Sequence, residues 1–158
     1  MTPSALYTSA IVPAAALLWR QDSPQARVML LAIAGQESAW STRIQIPGGA
    51  ARSLWQAEKN GAVLNVLTSD ATKSLLADVC AALDVPANLD TLFEAIAWND
   101  TLACCLARLQ LWSSPIPMPA LGDEVGALAM YHSIWRPGAY APERWPAVYE
   151  AALAVVSP

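Results

Sequence analysis

Glu37 stands in the run GQESAW, directly after ARVMLLAIAG, the most apolar stretch of the chain. A carboxyl at the C-terminal end of an apolar helix loses hydration and faces the negative end of the helix dipole, and both effects raise its pKa. A carboxyl that keeps its proton is what general acid catalysis requires. A solvated glutamate that simply ends the helix is the other reading of the same residues. Beyond a loop containing Gly48 and Gly49, whose missing Cβ lets the chain bend back toward that helix end, come Trp55, Gln56 and a second carboxylate, Glu58.

Metal and thiol chemistry find little support. There is one histidine, His132, no Cys-x-x-Cys pair and three cysteines, Cys80, Cys104 and Cys105. A zinc site would need scattered ligands, so no metal or organic cofactor is expected. Adjacent cysteines on a helix point about 100° apart and pair only with strain. All three are therefore expected to be free, buried, small apolar side chains.

The elements that must position these groups read as helices. Ser23 is a predicted N-cap with Pro24 at the first helical position, and the segment that follows is apolar all round, the mark of a central helix. Leu75, Leu76, Val79, Cys80 and Leu83 share one face of a helix opened by Ser69 or Asp70 and ending before Pro86. Trp98, Leu102, Cys105, Leu109 and Trp112 recur at steps of four and three, closed by Ser113, Ser114 and Pro115. Val125, Leu128, Ala129 and His132 are expected to form an inward face, as are Trp145, Val148, Tyr149 and Ala152 after Pro142. Short extended pieces are expected only around Arg43 to Pro47, so the fold class is all-α, or α with a very small β-hairpin, in a single domain over residues 1–158.

Composition excludes several classes. With 158 residues, 55% hydrophobic and 14% charged, the chain is no disordered segment. Nine Lys+Arg against 13 Asp+Glu give a formal charge of −4, which provides no field to gather nucleic acid. Mean hydropathy is high at +0.33. Residues Met1 to Trp19 carry no charge, but no basic residue precedes their apolar run, and Pro3, Ser4, Thr8, Ser9 and Pro13 interrupt it. Neither a signal peptide nor stable membrane insertion is expected.

Glu37-Ser38, then Gly49-Ala50, then Leu54-Trp55-Gln56 resemble the catalytic region of the lysozyme-like lytic transglycosylases, whose pattern runs ES to GA to GLMQ. Nineteen positions (56 minus 37) separate Glu37 from Gln56, one more than in that family, and Ser53 stands where the family has glycine. The later run ALAMYHSIWRPGAY resembles the family's AYNAG region, with Tyr131 in the tyrosine place and His132 in place of asparagine. The span from Met29 to Leu67 is similar to small lysozyme-like proteins of tailed phages.

That resemblance implies a lysozyme-like helical domain that cuts the β-1,4 bond between N-acetylmuramic acid and N-acetylglucosamine, as muramidase or lytic transglycosylase, with Glu37 as general acid. Glycoside cleavage commonly uses two carboxyls, and Glu58 is the motif-near candidate for the second. It either holds a water or stabilises the oxocarbenium-like state, or it is helix surface and the substrate's own hydroxyl closes the ring. Gln56 and Tyr131 are expected to donate to substrate amides or to Glu37, Tyr131 as a core ring with its hydroxyl at the rim. Trp40 and Trp55 are the expected sugar-stacking residues, while Trp98, Trp112 and Trp145 are expected in the core. Arg43 and Arg52 are expected to be ion-pair or loop anchors, because guanidinium does not release its proton. His132 is expected to be a core residue.

The implied partners are peptidoglycan glycan strands and other virion proteins of a phage. The implied setting is synthesis in the host cytoplasm and action at the bacterial wall, reached through a virion, a holin pore or another carrier. A catalytically inactive lysozyme-like structural protein of a phage particle is the alternative from a different class.

Overall fold

Ser23 does cap the central helix: its Oγ accepts from the Ala26 amide at 3.1 Å, and α3 runs Pro24–Ser38. Every residue from Val28 to Gln36 is buried, so α3 touches protein on all sides. The helix stops where Ala39 turns left-handed, at φ 49°. A computed structural model describes residues 1–45, 49–137 and 141–157. Gly48 and Pro47 lie outside the described residues.

Before α3, helix α1 (Pro3–Leu6), a π-helical turn (Tyr7–Ile11) and α2 (Val12–Leu17) form one continuous rod. Pro13 has no N–H to give the helical ladder, and the wider π turn just ahead of it carries the chain around that gap. Leu6, Ala10, Ile11, Ala14 and Leu18 face inward. No helix among the described residues is long and apolar enough to cross a membrane.

A two-strand antiparallel hairpin follows α3, β1 (Ala51–Arg52) on β2 (Ala57–Glu58), with Ala51 opposite Glu58 and Arg52 opposite Ala57. The extended piece expected from Arg43 contributes Ile44, which bridges to Arg52. A π turn (Lys59–Val63) then leads into α4 (Leu64–Thr68), α5 (Lys73–Ala82) and α6 (Leu89–Ala95). Helix α5 starts three to four residues later than Ser69 or Asp70, because Ser69 closes a turn whose carbonyl accepts from Thr72 and Lys73. Leu76, Val79 and Cys80 are its buried residues, with Leu75 and Leu83 packed at the edge.

Helix α7 (Asp100–Trp112) is the second helix buried nearly all round, capped by the Asn99 side chain. Leu102, Cys105 and Leu109 are inside as expected, but Trp98 is 74% exposed and Trp112 44%. Trp98 precedes the cap and so is not held to the helix's stripe. Trp112 sits in the last turn, where the Arg108 guanidinium covers its ring at 5.4 Å. Cys80, Cys104 and Cys105 are free and buried, and loss of hydration pushes the Cys105 thiol up to about 12.

Helix α8 (Glu124–Trp135) corrects a second expectation. Its inward residues are Ala127, Met130 and Tyr131, while Val125 is 81% exposed, Ala129 is exposed and His132 is half-buried. The sequence EVGALAMYHSIW is apolar on every side, so period alone does not choose the face. Helix α9 (Trp145–Val156), preceded by a 3₁₀ turn (Pro142–Arg144), buries Trp145, Val148, Tyr149 and Ala152 as expected.

The largest helix contact is α9 on α3. Gly35 makes it possible: a Cβ there would lie 2.5 Å from the Trp40 indole and 2.9 Å from the Val148 Cβ. The described fold is mostly helical with one small hairpin, and its buried side chains form one cluster from Leu6 to Ala152.

Candidate active site

Glu37 sits in the last turn of α3, largely buried, and its Oε1 accepts from the Tyr131 hydroxyl at 2.6 Å. Tyr131 is 1% exposed, and its ring stacks on Trp145 at 5.2 Å between centroids, with His132 meeting it edge-on at 5.5 Å. The tyrosine is thus a core ring whose hydroxyl reaches the site, and the stack fixes where that hydroxyl points.

Burial raises the Glu37 pKa, and this outweighs the Tyr131 hydrogen bond and the Arg144 charge, both of which favour the carboxylate. Such a carboxyl holds its proton above the usual range for glutamate. Once the proton leaves, a hydroxyl and a guanidinium are already in place to stabilise the anion.

The carboxyl opens onto a broad groove of about 1480 Å³. Glu37 and Glu58 are the two carboxylates among its described lining residues, and Gln56, Arg136 and Arg144 also line it. The space exceeds the 300–1,000 Å³ or so of a compact small-molecule pocket and suits a polymer lying across it. A small recess beside Arg108, between α2 and α7, is about 10 Å³. That is room for roughly one water.

Glu58 ends β2, is exposed, and faces the groove from the hairpin side. Gly61 lies directly beneath it: a Cβ there would be 3.4 Å from the Glu58 Cβ. Gln56 reaches the groove too, but its Nε2 donates to the carbonyls of Thr42 (3.1 Å) and Ser53 (2.7 Å), not to Glu37. Its amide braces the loop that forms the groove edge.

Neither tryptophan expected to stack on sugars lies in the groove. Trp55 is fully buried, its indole donating to the Leu30 carbonyl at 2.8 Å, and its own carbonyl accepts from the Trp135 indole at 3.0 Å. Trp40 folds back over Gly35 and donates to the Leu31 carbonyl at 2.9 Å. An indole N–H near the end of a buried helix finds backbone carbonyls to satisfy it, and that demand outweighs exposure.

The arginines expected as anchors are anchors. Arg43 grips Asp100 through two hydrogen bonds of 3.0 and 2.6 Å, fastening the loop to the start of α7. Arg52 donates to the Gly49 and Ala51 carbonyls and lies over the Phe93 ring. Among the described residues no group of three or more His, Cys, Asp or Glu is arranged to hold a metal ion.

Sequence reading missed the part of the groove lining formed by the end of α8 and the approach to α9. Arg144 donates to the Gln36 carbonyl at 2.9 Å, and the Gln36 side chain donates to the Ala141 carbonyl at 3.0 Å. The turn before α9 is thereby tied to the residue preceding the acid. The available signal was the placement of Arg136 and Arg144 at either end of the proline- and glycine-bearing sequence RPGAYAPER.

Several groove residues hold unusual backbone. Ala39, Gln56 and Arg136 all have positive φ, at 49°, 49° and 47°, and all line the groove; Ser53, at 70°, sits in the hairpin turn. Such conformations persist where the surroundings enforce them, and they cluster at working sites. Compared with known protein families, curated proteins and solved structures, the chain matches none.

Proposed function

We propose that this chain cleaves the β-1,4 bond between N-acetylmuramic acid and N-acetylglucosamine in peptidoglycan, with Glu37 protonating the glycosidic oxygen. The observation that carries the reading is a partly buried carboxyl of raised pKa, hydrogen-bonded by Tyr131 and open to a groove wide enough for a glycan strand. The resemblance of the Glu37 to Gln56 segment to lytic transglycosylases supports the choice of substrate.

Glu58, the second carboxylate of the groove, holds the attacking water on this reading, which makes the reaction a hydrolysis. In the first step the C–O bond to the leaving sugar breaks as Glu37 gives that oxygen its proton. Water then adds to the oxocarbenium-like carbon and yields its proton to carboxylate. No metal or organic cofactor takes part.

The test is zymography on purified cell walls followed by mass spectrometry of the muropeptides. Clearing with reducing ends, reduced strongly in Glu58→Gln, is expected. Clearing with anhydro ends and a silent Glu58→Gln assigns the ring closure to the muramic acid's own hydroxyl and removes Glu58 from the mechanism. A folded protein that clears no wall overturns the activity in favour of the non-catalytic phage structural protein.

A further inference from the structure

We propose that Asn65 and Gln110 form a recognition point in the groove that reads a secondary amide on the bound polymer, through the Gln110 Nε2 donors and the Asn65 Oδ1 acceptor. The proposal rests on the glycan-cleaving reading above and names the substrate group that this part of the groove holds.

The two side chains come from different helices, Asn65 from α4 and Gln110 from α7, and both line the groove that Glu37 opens onto. Asn65 Nδ2 donates to Gln110 Oε1 at 2.8 Å and to Ser113 Oγ at a longer 3.4 Å, while the Ser113 hydroxyl donates to the Gln110 backbone carbonyl at 2.8 Å. These bonds fix which way each amide faces. The only proton of the Ser113 hydroxyl is committed, so its oxygen meets Asn65 as an acceptor and selects the Asn65 NH₂, which in turn requires oxygen from Gln110. Among the described residues the network leaves over the two N–H donors of Gln110 and the side-chain oxygen of Asn65.

That remainder is the complement of an amide, whose N–H needs an acceptor and whose C=O needs a donor. A secondary amide carries the two on separate atoms and can span two side chains, whereas a hydroxyl must serve both from one oxygen. Gln56, another lining amide, has its Nε2 committed to the carbonyls of Thr42 and Ser53; the Gln110 Nε2 is committed to none. Position is also set, because α7 is buried nearly all round and α4 packs against it. Groups carried on packed helices hold their geometry better than groups on loops. Apart from Glu37, Glu58, Arg136 and Arg144, every described lining residue is uncharged, so most of the lining offers hydrogen bonds and apolar contact.

The shared chemistry is a secondary amide, supplied by the acetamido group of an amino sugar or by a peptide bond of the stem attached to it. Three probes separate these sources in isothermal titration calorimetry on Glu37→Gln protein, used so that cleavage does not intrude: cellotetraose, tetra-N-acetylchitotetraose and a peptidoglycan tetrasaccharide carrying its stem peptides. The first two share a β-1,4 backbone and differ in hydroxyl against acetamido. The acetylated probe is expected to bind about tenfold more tightly than cellotetraose, as two neutral hydrogen bonds allow. Adding Gln110→Glu keeps an oxygen for Asn65 and removes the donors, so this ratio should fall toward unity. Asn65→Ala should lower it too, and because Asn65 is exposed that variant keeps the test meaningful if Gln110→Glu unfolds. A role confined to folding weakens both probes alike and leaves the ratio where it was.

If the first two probes bind equally and only the stem-bearing one binds more tightly, with the gain lost in Gln110→Glu and in the neutral Asn65→Ala, the amide that is read is a peptide bond. Equal affinities for all three probes, no binding by any, or a preference unmoved by both substitutions overturn the amide reading. Wall clearing by the wild type is untouched by that result. Absence of wall clearing together with a preference that depends on Asn65 and Gln110 overturns cleavage instead and leaves the amide reading standing.

Discussion

The hydroxyl of Tyr131 lies 2.6 Å from Oε1 of Glu37, across 94 positions of sequence. One residue comes from the end of α3 and the other from the middle of α8, so the acid's environment exists only where these helices meet. The hydrogen bond favours the carboxylate, against a burial that favours the acid, and burial has the larger effect.

Tyr131→Phe should raise the Glu37 pKa further, because it removes an interaction that stabilises only the ionised form. A general acid works while protonated, so activity falls as pH rises through its pKa. The alkaline limb of wall-clearing rate against pH should therefore move to higher pH in the variant. A limb that stays in place or moves down contradicts the role given to this bond.

Glu37→Gln should lower wall cleavage about 10²–10⁴-fold, the usual worth of a general acid. Its effect on stability has the opposite sign. A carboxyl whose folded pKa is raised binds more protons in the folded state, so its contribution is most favourable below the ordinary glutamate value. That contribution is lost as pH rises through the raised one. The glutamine protein should lack this loss, melting at or above the wild type at neutral pH and converging with it below about pH 4. Thermal melts across pH measure it.

Gly35→Ala should destabilise by about 1–3 kcal/mol, as overpacking does. The added methyl would press on the Trp40 indole at 2.5 Å and on Val148 at 2.9 Å, forcing α9 away from α3. A melt within a degree of the wild type would refute the close packing at this crossing.

Ser53 holds φ 70° and its Oγ accepts from the Trp55 amide at 3.2 Å. Ser53→Ala loses that bond and keeps the left-handed backbone, whereas Ser53→Gly loses the bond and relieves the backbone. The glycine variant should be the more stable of the two by about 1 kcal/mol in denaturant titrations.

That position also marks what the sequence made legible. Ser53 holds a left-handed turn that glycine enters without strain, which the residue type alone did not announce. The central helix, its Ser23 cap and the inward face of α9 were readable because capping and apolar content pointed the same way. The faces of α8 and the tryptophans were not. Helix α8 is apolar all round, and an indole can be a groove platform or a buried donor to a carbonyl with the same neighbours in sequence. Trp55 and Trp40 took the second role because α3 offers the carbonyls of Leu30 and Leu31. Arg144 was invisible for a different reason: it acts on Glu37 from the far end of the chain, and no local pattern connects residues 107 positions apart (144 minus 37).

The ties that complete the site span great lengths of chain: 94 positions from Tyr131 to Glu37, 105 from Gln36 to Ala141 and 108 from Arg144 to Gln36. The entropy of closing such loops must be met before these contacts form, whereas α3 and its cap need only local ones. Synthesis runs from the N-terminus, so α3 is complete while Tyr131, Ala141 and Arg144 have yet to be made. Until the final helices arrive and dock, Glu37 is an ordinary glutamate at a helix end. The burial that raises the Glu37 pKa thus comes last to the growing chain.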